Sequence, residues 1–247
     1  AFSVVPRRVL GGTGHVAPSE KTTLAGIGVG GQGIQNMLRF QRFPEMQVVA
    51  VCDVNRESGG YLSWNWSQGK DTRLAGREPA KRAVEASYAK QKGRGEYKGC
   101  NSYADYRELL DKEDVDAVMV ATPDFSHAVI TMAAIKKGKH VYCEKPLTYS
   151  VYEARQVTEA ARKAKVATQL GNQGQAENTA RMIQEYIIDG AIGPVHEVYV
   201  PWGRGFWDPP AGPGRPQETP PVPDGLDWEL WLGPAPARPY HPCYHPW

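Results

Sequence analysis

A glycine-rich turn is the clearest chemical signal in the sequence. It joins an apolar stretch at 24–29 to a helical pattern through Met37 and Phe40, and it consists of four glycines and a glutamine: Gly28, Gly30, Gly31, Gln32 and Gly33. Glycines without side chains permit a tight turn and the close approach of a pyrophosphate, which the free N–H groups at the start of the helix can bind. The setting between strand and helix predicts a dinucleotide-binding turn, and a merely structural turn is the alternative.

An acidic residue stands where such a turn needs one. Asp53 follows the apolar stretch 46–52 and lies 20 positions after Gly33. A carboxylate at this place can accept hydrogen bonds from the adenosine ribose, and it repels a 2′-phosphate, which favours NAD. Arg56 could neutralise such a phosphate, so NADP is the less favoured alternative.

A second group of polar residues follows the apolar stretch 115–120. It contains Thr122, Pro123, Asp124 and His127. Ligands of open α/β sheets bind at the carboxyl ends of the strands, so this loop is expected beside the glycine turn and the cofactor. A structural interpretation stays open, in which Pro123 ends the strand, Asp124 caps the next helix and His127 is only a polar residue of its first turn.

The third group is Glu144, Lys145 and Pro146, directly after the stretch 140–143. Glutamate and lysine are poor packing residues, and both stand where a strand is predicted to end. A lysine amine can take and return a proton while a hydroxyl group is oxidised, so Lys145 is the candidate catalytic residue. A surface ion pair between Lys145 and Glu144 is the alternative.

Strands and helices that alternate along the chain must position these groups. Apolar runs of strand length predict strands at 24–29, 46–52, 115–120, 140–143, 166–170 and 195–200. Helical patterns after the glycine turn predict helices at 78–91, 103–110 with Ser102 as its cap, 126–136, 151–163 and 177–188. Such alternation predicts an α/β fold with a doubly wound, Rossmann-type parallel sheet.

Length and composition exclude several classes of protein. The chain has 247 residues, enough for one large α/β domain or two small ones, and 29 basic against 27 acidic side chains give a formal charge of +2. This balance argues against a nucleic-acid-binding surface. The apolar runs are far shorter than the ~20 residues of a membrane span. Four cysteines without C-x-x-C spacing favour small buried hydrophobic roles.

The chain resembles the Gfo/Idh/MocA family of NAD(P)-dependent oxidoreductases. The resemblance extends over residues 22–200 and rests on the glycine turn, Asp53, the Ala-Thr-Pro-Asp-x-x-His stretch and the Glu-Lys-Pro triplet, in this order. It implies a Rossmann domain followed by an α/β domain with an open, mainly antiparallel sheet that carries substrate or dimer contacts. It also implies that Lys145 lies near the nicotinamide, and that Asn172 and Gln173 lie at the substrate end of the cofactor.

The chain is predicted to contain three regions. Residues 1–21 form an extended arm, 22–170 the Rossmann domain, and 171–247 the start of the second domain with a proline- and tryptophan-rich loop. Family members continue well past this length, so the second α/β domain is expected to be truncated and a histidine partner of the lysine to lie beyond Trp247. A fragment of a longer protein is the favoured explanation. A shortened relative that completes its sheet with another chain is the alternative.

The last twenty residues hold two further features. His241, Cys243 and His245 invite a zinc site, but three ligands without a fourth favour ordinary loop residues, and no metal is predicted. Trp228 and Trp231 stand three residues apart, a spacing that fits helix anchors and sugar-stacking surfaces equally.

The favoured function is hydride transfer between a sugar or polyol carbinol and NAD. The alternatives are a glycosidase in which a tightly held NAD oxidises the sugar transiently, and a non-catalytic nucleotide-binding fragment. The arm and the last residues resemble exported bacterial family members, so a periplasmic or secreted location is expected, with the cytoplasm as the alternative. A homo-oligomer is expected when the second domain is complete.

Overall fold

The computed structural model describes residues 16–59, 74–91, 93, 95–200 and 214–244. Most of the predicted arm, part of the proline- and tryptophan-rich loop, and His245 lie outside these residues. The features below concern the described part of the chain.

A parallel sheet of six strands forms the centre of the fold, in the order β3-β2-β1-β4-β5-β6. The strands are β1 (Thr22–Ile27), β2 (Met46–Cys52), β3 (Asn101–Tyr103), β4 (Ala117–Val120), β5 (His140–Glu144) and β6 (Thr168–Gly171). From β1 the chain adds β2 and β3 on one side and then crosses back to add β4, β5 and β6 on the other. The predicted α/β fold with a doubly wound sheet is therefore confirmed, and its switch point lies between β1 and β4.

Helices cover both faces of this sheet. The α-helices are α1 (Gly31–Phe40), α2 (Arg77–Gln91), α3 (Tyr106–Lys112), α4 (His127–Lys136), α5 (Val151–Ala164), α6 (Asn178–Ile188) and α7 (Trp228–Leu232). In β4, Val118 and Val120 pack on the side of α3, α4 and α5, whereas Met119 packs on the side of α1 and α2. All three side chains are fully buried. A strand buried on both faces is a continuous apolar run in the sequence, which explains why 115–120 predicts it.

The region between α2 and β4 differs from the sequence prediction. Residues 101–103 form strand β3 and pair with β2, so the predicted helix 103–110 begins only at Tyr106. The helix cap is Asp105, whose carboxylate accepts from the Arg107 N–H at 2.8 Å. The predicted cap, Ser102, instead donates to Glu78 at 2.6 Å. A strand of three residues is too short to show a periodicity, so only the partner strand reveals it.

The strand predicted at 195–200 is also wrong. These residues have no regular secondary structure, and Val198, Tyr199 and Val200 are largely exposed. A strand needs a neighbour to satisfy its backbone N–H and C=O groups, and the described residues place no strand beside this segment.

Two expectations from composition can be compared with the fold. Cys52, Cys100 and Cys143 are buried and unpaired, as predicted for small buried residues, and Cys243 is partly buried. Among the described helices, none combines the length and the apolar character that a membrane crossing requires.

Truncation of a core side chain tests this packing. Leu109→Ala removes a fully buried side chain of α3, so we expect the free energy of unfolding to fall by about 2–5 kcal/mol. Phe43→Ala is the control, because this side chain is 57% exposed and its loss is expected to change stability by less than about 0.5 kcal/mol. Urea unfolding measures both, and equal effects would contradict the assigned core.

Candidate functional site

The glycine turn is held by contacts that leave no room for side chains. A Cβ on Gly28, whose φ is +79°, would lie 2.6 Å from the carbonyl carbon of Ala121. A Cβ on Gly33 would lie 1.8 Å from the carbonyl oxygen of Gly28. Helix α1 follows at once, and its N-cap, Gly30, brings no side chain to the first N–H groups. These donors are free for an anion at the helix N-terminus.

The predicted ribose ligand lies at the end of the neighbouring strand. Asp53 is buried, and its Oδ1 accepts from the Asn55 N–H at 2.9 Å. Its own N–H donates to the Tyr103 carbonyl at 3.1 Å, which ties it to the end of β3. Burial raises the pKa of the adjacent Cys52 thiol well above its ordinary value, and the carboxylates of Asp53 and Asp105 raise it further. The thiol therefore stays protonated, and the negative charge at this corner belongs to the two aspartates.

A cavity of about 830 Å³ opens at the carboxyl ends of β1, β2 and β4. Its lining includes many of the predicted cofactor residues: Gly28, Gly30, Gly31, Gln32, Asp53, Thr122, Pro123 and Asp124. Three segments that are far apart in the sequence thus meet at one opening. The volume lies within the range of about 300–1,000 Å³ typical of small-molecule sites.

His127 has a position of its own. It is buried at the start of α4, where its Nε2 lies 2.8 Å from the Thr122 carbonyl oxygen and its Nδ1 lies 2.6 Å from the Pro146 carbonyl oxygen. The ring therefore joins the loop after β4 to the loop after β5. This geometry supports a structural role for His127. The residue lies outside the cavity lining.

Glu144 belongs to a buried polar network. Its Oε1 accepts from Asn36 Nδ2 at 2.5 Å, from Gln173 Nε2 at 2.6 Å and from the Tyr142 hydroxyl at 3.2 Å. The carboxylate thus connects α1, β5 and the turn that follows β6. A Cβ on Gly171 would meet the Glu144 carboxyl carbon at 2.8 Å, so a side chain at this position would displace the network.

Lys145 is exposed and follows Glu144 directly. The ion pairs found in the described chain do not include one between these two residues, because the carboxylate is occupied by the network. Asn172 lies next to Gln173 at the end of β6. Glu144, Lys145, Asn172 and Gln173 form a group beside the cavity but outside its lining, and their contacts with a cofactor stay predictions.

Sequence analysis missed part of the cavity lining. Tyr106, Arg107 and Phe125 contribute to it, as does Tyr244 from the distant segment around α7. Trp231, for which the sequence left a helix anchor and a stacking surface open, lines the cavity as well. The Arg107 guanidinium binds the Asp105 carboxylate at 2.8–3.0 Å. Tyr106 and Arg107 were missed because β3 was missed, since a site residue after an unrecognised strand gives no signal.

Metal ligands do not cluster in the described chain, where no group of three or more His, Cys, Asp or Glu side chains could hold an ion. The Nδ1 of His241 instead accepts from the Cys243 N–H at 3.2 Å. Trp228 is buried in α7 and Trp231 lines the cavity, so one of the two tryptophans anchors the helix and the other faces the site.

Substitution in the turn tests its close packing. Gly33→Ala forces the backbone of Gly28 to move, so we expect a stability loss of about 1–3 kcal/mol or more and a weaker dinucleotide site. Gly95→Ala is the matched control, because nothing lies within 4 Å of its added Cβ. Thermal unfolding of both variants measures the effect. An unchanged melting temperature for Gly33→Ala would refute the contact.

The comparisons with known proteins agree with this geometry. Residues 23–172 match the sequence profile GFO_IDH_MocA, described as an oxidoreductase family with an NAD-binding Rossmann fold. The chain is 40% identical over 124 residues to a 1,5-anhydro-D-fructose reductase of Ensifer adhaerens, which covers 47% of this chain and 35% of that protein. It is 29% identical over 178 residues to an inositol 2-dehydrogenase of Rubrobacter xylanophilus, covering 71% and 42%. The chain therefore spans less than half the length of these relatives.

Solved structures show the same fold. A scyllo-inositol dehydrogenase from Lactobacillus casei with bound NAD(H) and scyllo-inositol aligns with a TM-score of 0.51 at 18% identity, over 70% of this chain and 42% of that one. A myo-inositol 2-dehydrogenase from Lactobacillus plantarum aligns with a TM-score of 0.50 at 20% identity, over 70% and 42%. At these identities the likeness concerns the fold alone.

Proposed function

Because the chain belongs to the Gfo/Idh/MocA family of NAD-binding oxidoreductases, we propose that it binds NAD in this cavity and serves hydride transfer to or from a sugar or polyol. The observation that carries the proposal is the cavity itself, where the glycine turn, Asp53 and the Thr122 loop meet. Membership of an oxidoreductase family supports this class of reaction, and the named relatives support carbohydrate-like substrates.

The residues present fit a dinucleotide. The free N–H groups at the start of α1 suit the pyrophosphate, and Gly28, Gly30 and Gly31 line the cavity beside them without a side chain to fill it. Asp53 stands at the end of β2, where it can accept from ribose hydroxyls.

Charge favours NAD over NADP in this proposal. Asp53 lines the cavity, and a 2′-phosphate would face its negative charge. Asp105 and Arg107 also line the cavity, and their charges offset each other in an ion pair at 2.8 Å. Arg56, the residue that kept NADP open, is exposed and is not among the residues that line the cavity.

In the proposed chemistry, Lys145 is the proton acceptor. NAD held at this site would supply the acceptor for the hydride of the carbinol carbon. Lys145 Nζ, as a neutral amine, would take the hydroxyl proton and become an ammonium while the carbonyl forms, so the charges balance. The backbone of Lys145 lies between two anchored neighbours, because Glu144 is held by its buried network and the Pro146 carbonyl by His127.

Location and assembly complete the proposal. We infer export to the periplasm or the exterior, on the basis of the likeness of the first and last residues to exported family members. Cell fractionation of the native organism tests this, and recovery in the cytosolic fraction would contradict it. Sedimentation of the native protein tests the proposed homo-oligomer.

Removal of the Asp53 carboxylate, the proposed ribose ligand, tests the choice between NAD and NADP. Asp53→Ser loses a charged hydrogen-bond acceptor, so NAD affinity is expected to fall about 10- to 100-fold and NADP affinity to fall less. Glu57→Gln is the control, since its exposed carboxylate pairs with Arg82 and does not line the cavity. Calorimetry measures all affinities. NADP binding as tight as NAD binding by the unmodified protein would overturn the assignment.

Removal of the lysine amine should separate binding from chemistry. Lys145→Met is expected to leave NAD affinity nearly unchanged and to slow hydride transfer by about 10²–10⁴, because the amine moves a proton and does not hold the pyrophosphate. Lys136→Met, at the exposed end of α4, is the control. Nicotinamide absorbance under single-turnover conditions, with a panel of polyols, reports the rate. A full rate in Lys145→Met would remove this residue from the mechanism.

A further inference from the structure

We propose that residues 224–244, named here the cover segment, form the outer wall of the cavity and hold the adenosine end of the dinucleotide through Trp231. The proposal rests on the proposed function. It concerns residues beyond the matched family profile, which ends at residue 172.

The cover segment is attached beside the ribose-binding position. The Arg56 N–H donates to the Gly225 carbonyl at 2.8 Å, and the Asp227 N–H donates to the Val54 carbonyl at 3.0 Å. Asn55 and Leu226 form an antiparallel bridge between these two bonds. The backbone just after Asp53 therefore pairs in an extended, strand-like way with residues 225–227, which lie much later in the sequence.

An aromatic cluster gives the segment a fixed shape. Trp228 is 8% exposed, and its ring stacks on Trp231 with centroids 4.7 Å apart. Its Nε1 donates to the Arg238 carbonyl at 2.7 Å, and the Tyr240 ring meets it edge-on at 5.1 Å. The Asp227 carboxylate caps the short helix by accepting from the Leu230 N–H at 2.9 Å. Trp231 thus belongs to a packed aromatic cluster.

Trp231 lines the cavity next to the loop after β4. Its ring meets Phe125 edge-on, with centroids 5.4 Å apart, and both residues line the cavity. Phe125 belongs to the loop after β4, whereas the backbone anchors of the segment lie after β2. The cover segment therefore bridges the two loops that flank the glycine turn.

This arrangement suits one kind of ligand group, a nucleobase. Aromatic rings beside a carboxylate that suits a ribose provide an apolar surface for a nucleobase, and such contacts tolerate any purine face. Because the anchors adjoin Asp53, the surface serves the adenosine end. A dinucleotide held between the glycine turn and this wall leaves slowly, since release requires the contact with Trp231 to break.

The test uses the full 247-residue chain, with NADH and ADP-ribose as probes. Trp231→Ala is expected to raise the dissociation rate of NADH on the order of tenfold and to weaken ADP-ribose by the same factor, because the lost contact lies at their shared adenosine end. Stopped-flow fluorescence gives the rates and calorimetry the affinities. Trp231→Phe keeps an aromatic ring, so its NADH dissociation rate and ADP-ribose affinity are expected to lie between those of the unmodified chain and of Trp231→Ala. This variant supplies the test should Trp231→Ala not fold.

The outcomes are distinguishable. Tyr152→Ala, a change at an exposed side chain of α5, is the control and should alter neither the NADH dissociation rate nor the ADP-ribose affinity. Folded Trp231 variants that release NADH at the unmodified rate and bind ADP-ribose with the unmodified affinity would overturn the cover segment alone. Loss of NADH affinity with unchanged ADP-ribose affinity would overturn its adenosine-end placement. Failure of the unmodified chain to bind either probe would overturn the proposed function as well.

Discussion

The backbone contact between the glycine turn and the end of β4 is the constraint on which the site depends. Gly28 and Gly33 lie against each other and against Ala121 at distances that no side chain tolerates. The Gly28 N–H donates to the Cys52 carbonyl and the Ala121 N–H to the Ile27 carbonyl, both at 2.8 Å, so the ends of β1, β2 and β4 are held together. The helix N-terminus, the aspartate and the Thr122 loop face one cavity because of these contacts.

A second layer of buried polar contacts organises the loops around this centre. His127 connects the loop after β4 with the loop after β5, and Glu144 connects β5 with α1 and with the turn after β6. Buried polar groups of this kind are costly unless they are paired, so they fix one loop arrangement. Lys145 stands between two residues held in this way, which anchors the backbone from which its exposed side chain extends.

The sequence predicts the sheet and the centre of the site because both depend on local signals. Buried parallel strands such as β4 are continuous apolar runs, and the glycine turn carries its strand-to-helix setting with it. Strand β3 has three residues and owes its existence to β2, so its site neighbours Asp105 and Arg107 stayed hidden. The segment 195–200 has strand-forming residues but no partner among the described residues. Trp231 reaches the cavity by contacts across more than half of the chain, which no local pattern encodes.

The central claim is that NAD binds at the glycine turn, and amide chemical shifts test it most directly. In an NMR titration of the unmodified chain with NAD, the N–H signals of Gly30, Gly31 and Gln32 should move most, together with those of Asp53 and Thr122. The signals of α5, none of whose residues lines the cavity, should stay in place. Shifts confined to α5, or no shifts at saturating NAD, would contradict the assignment of this cavity as the cofactor site.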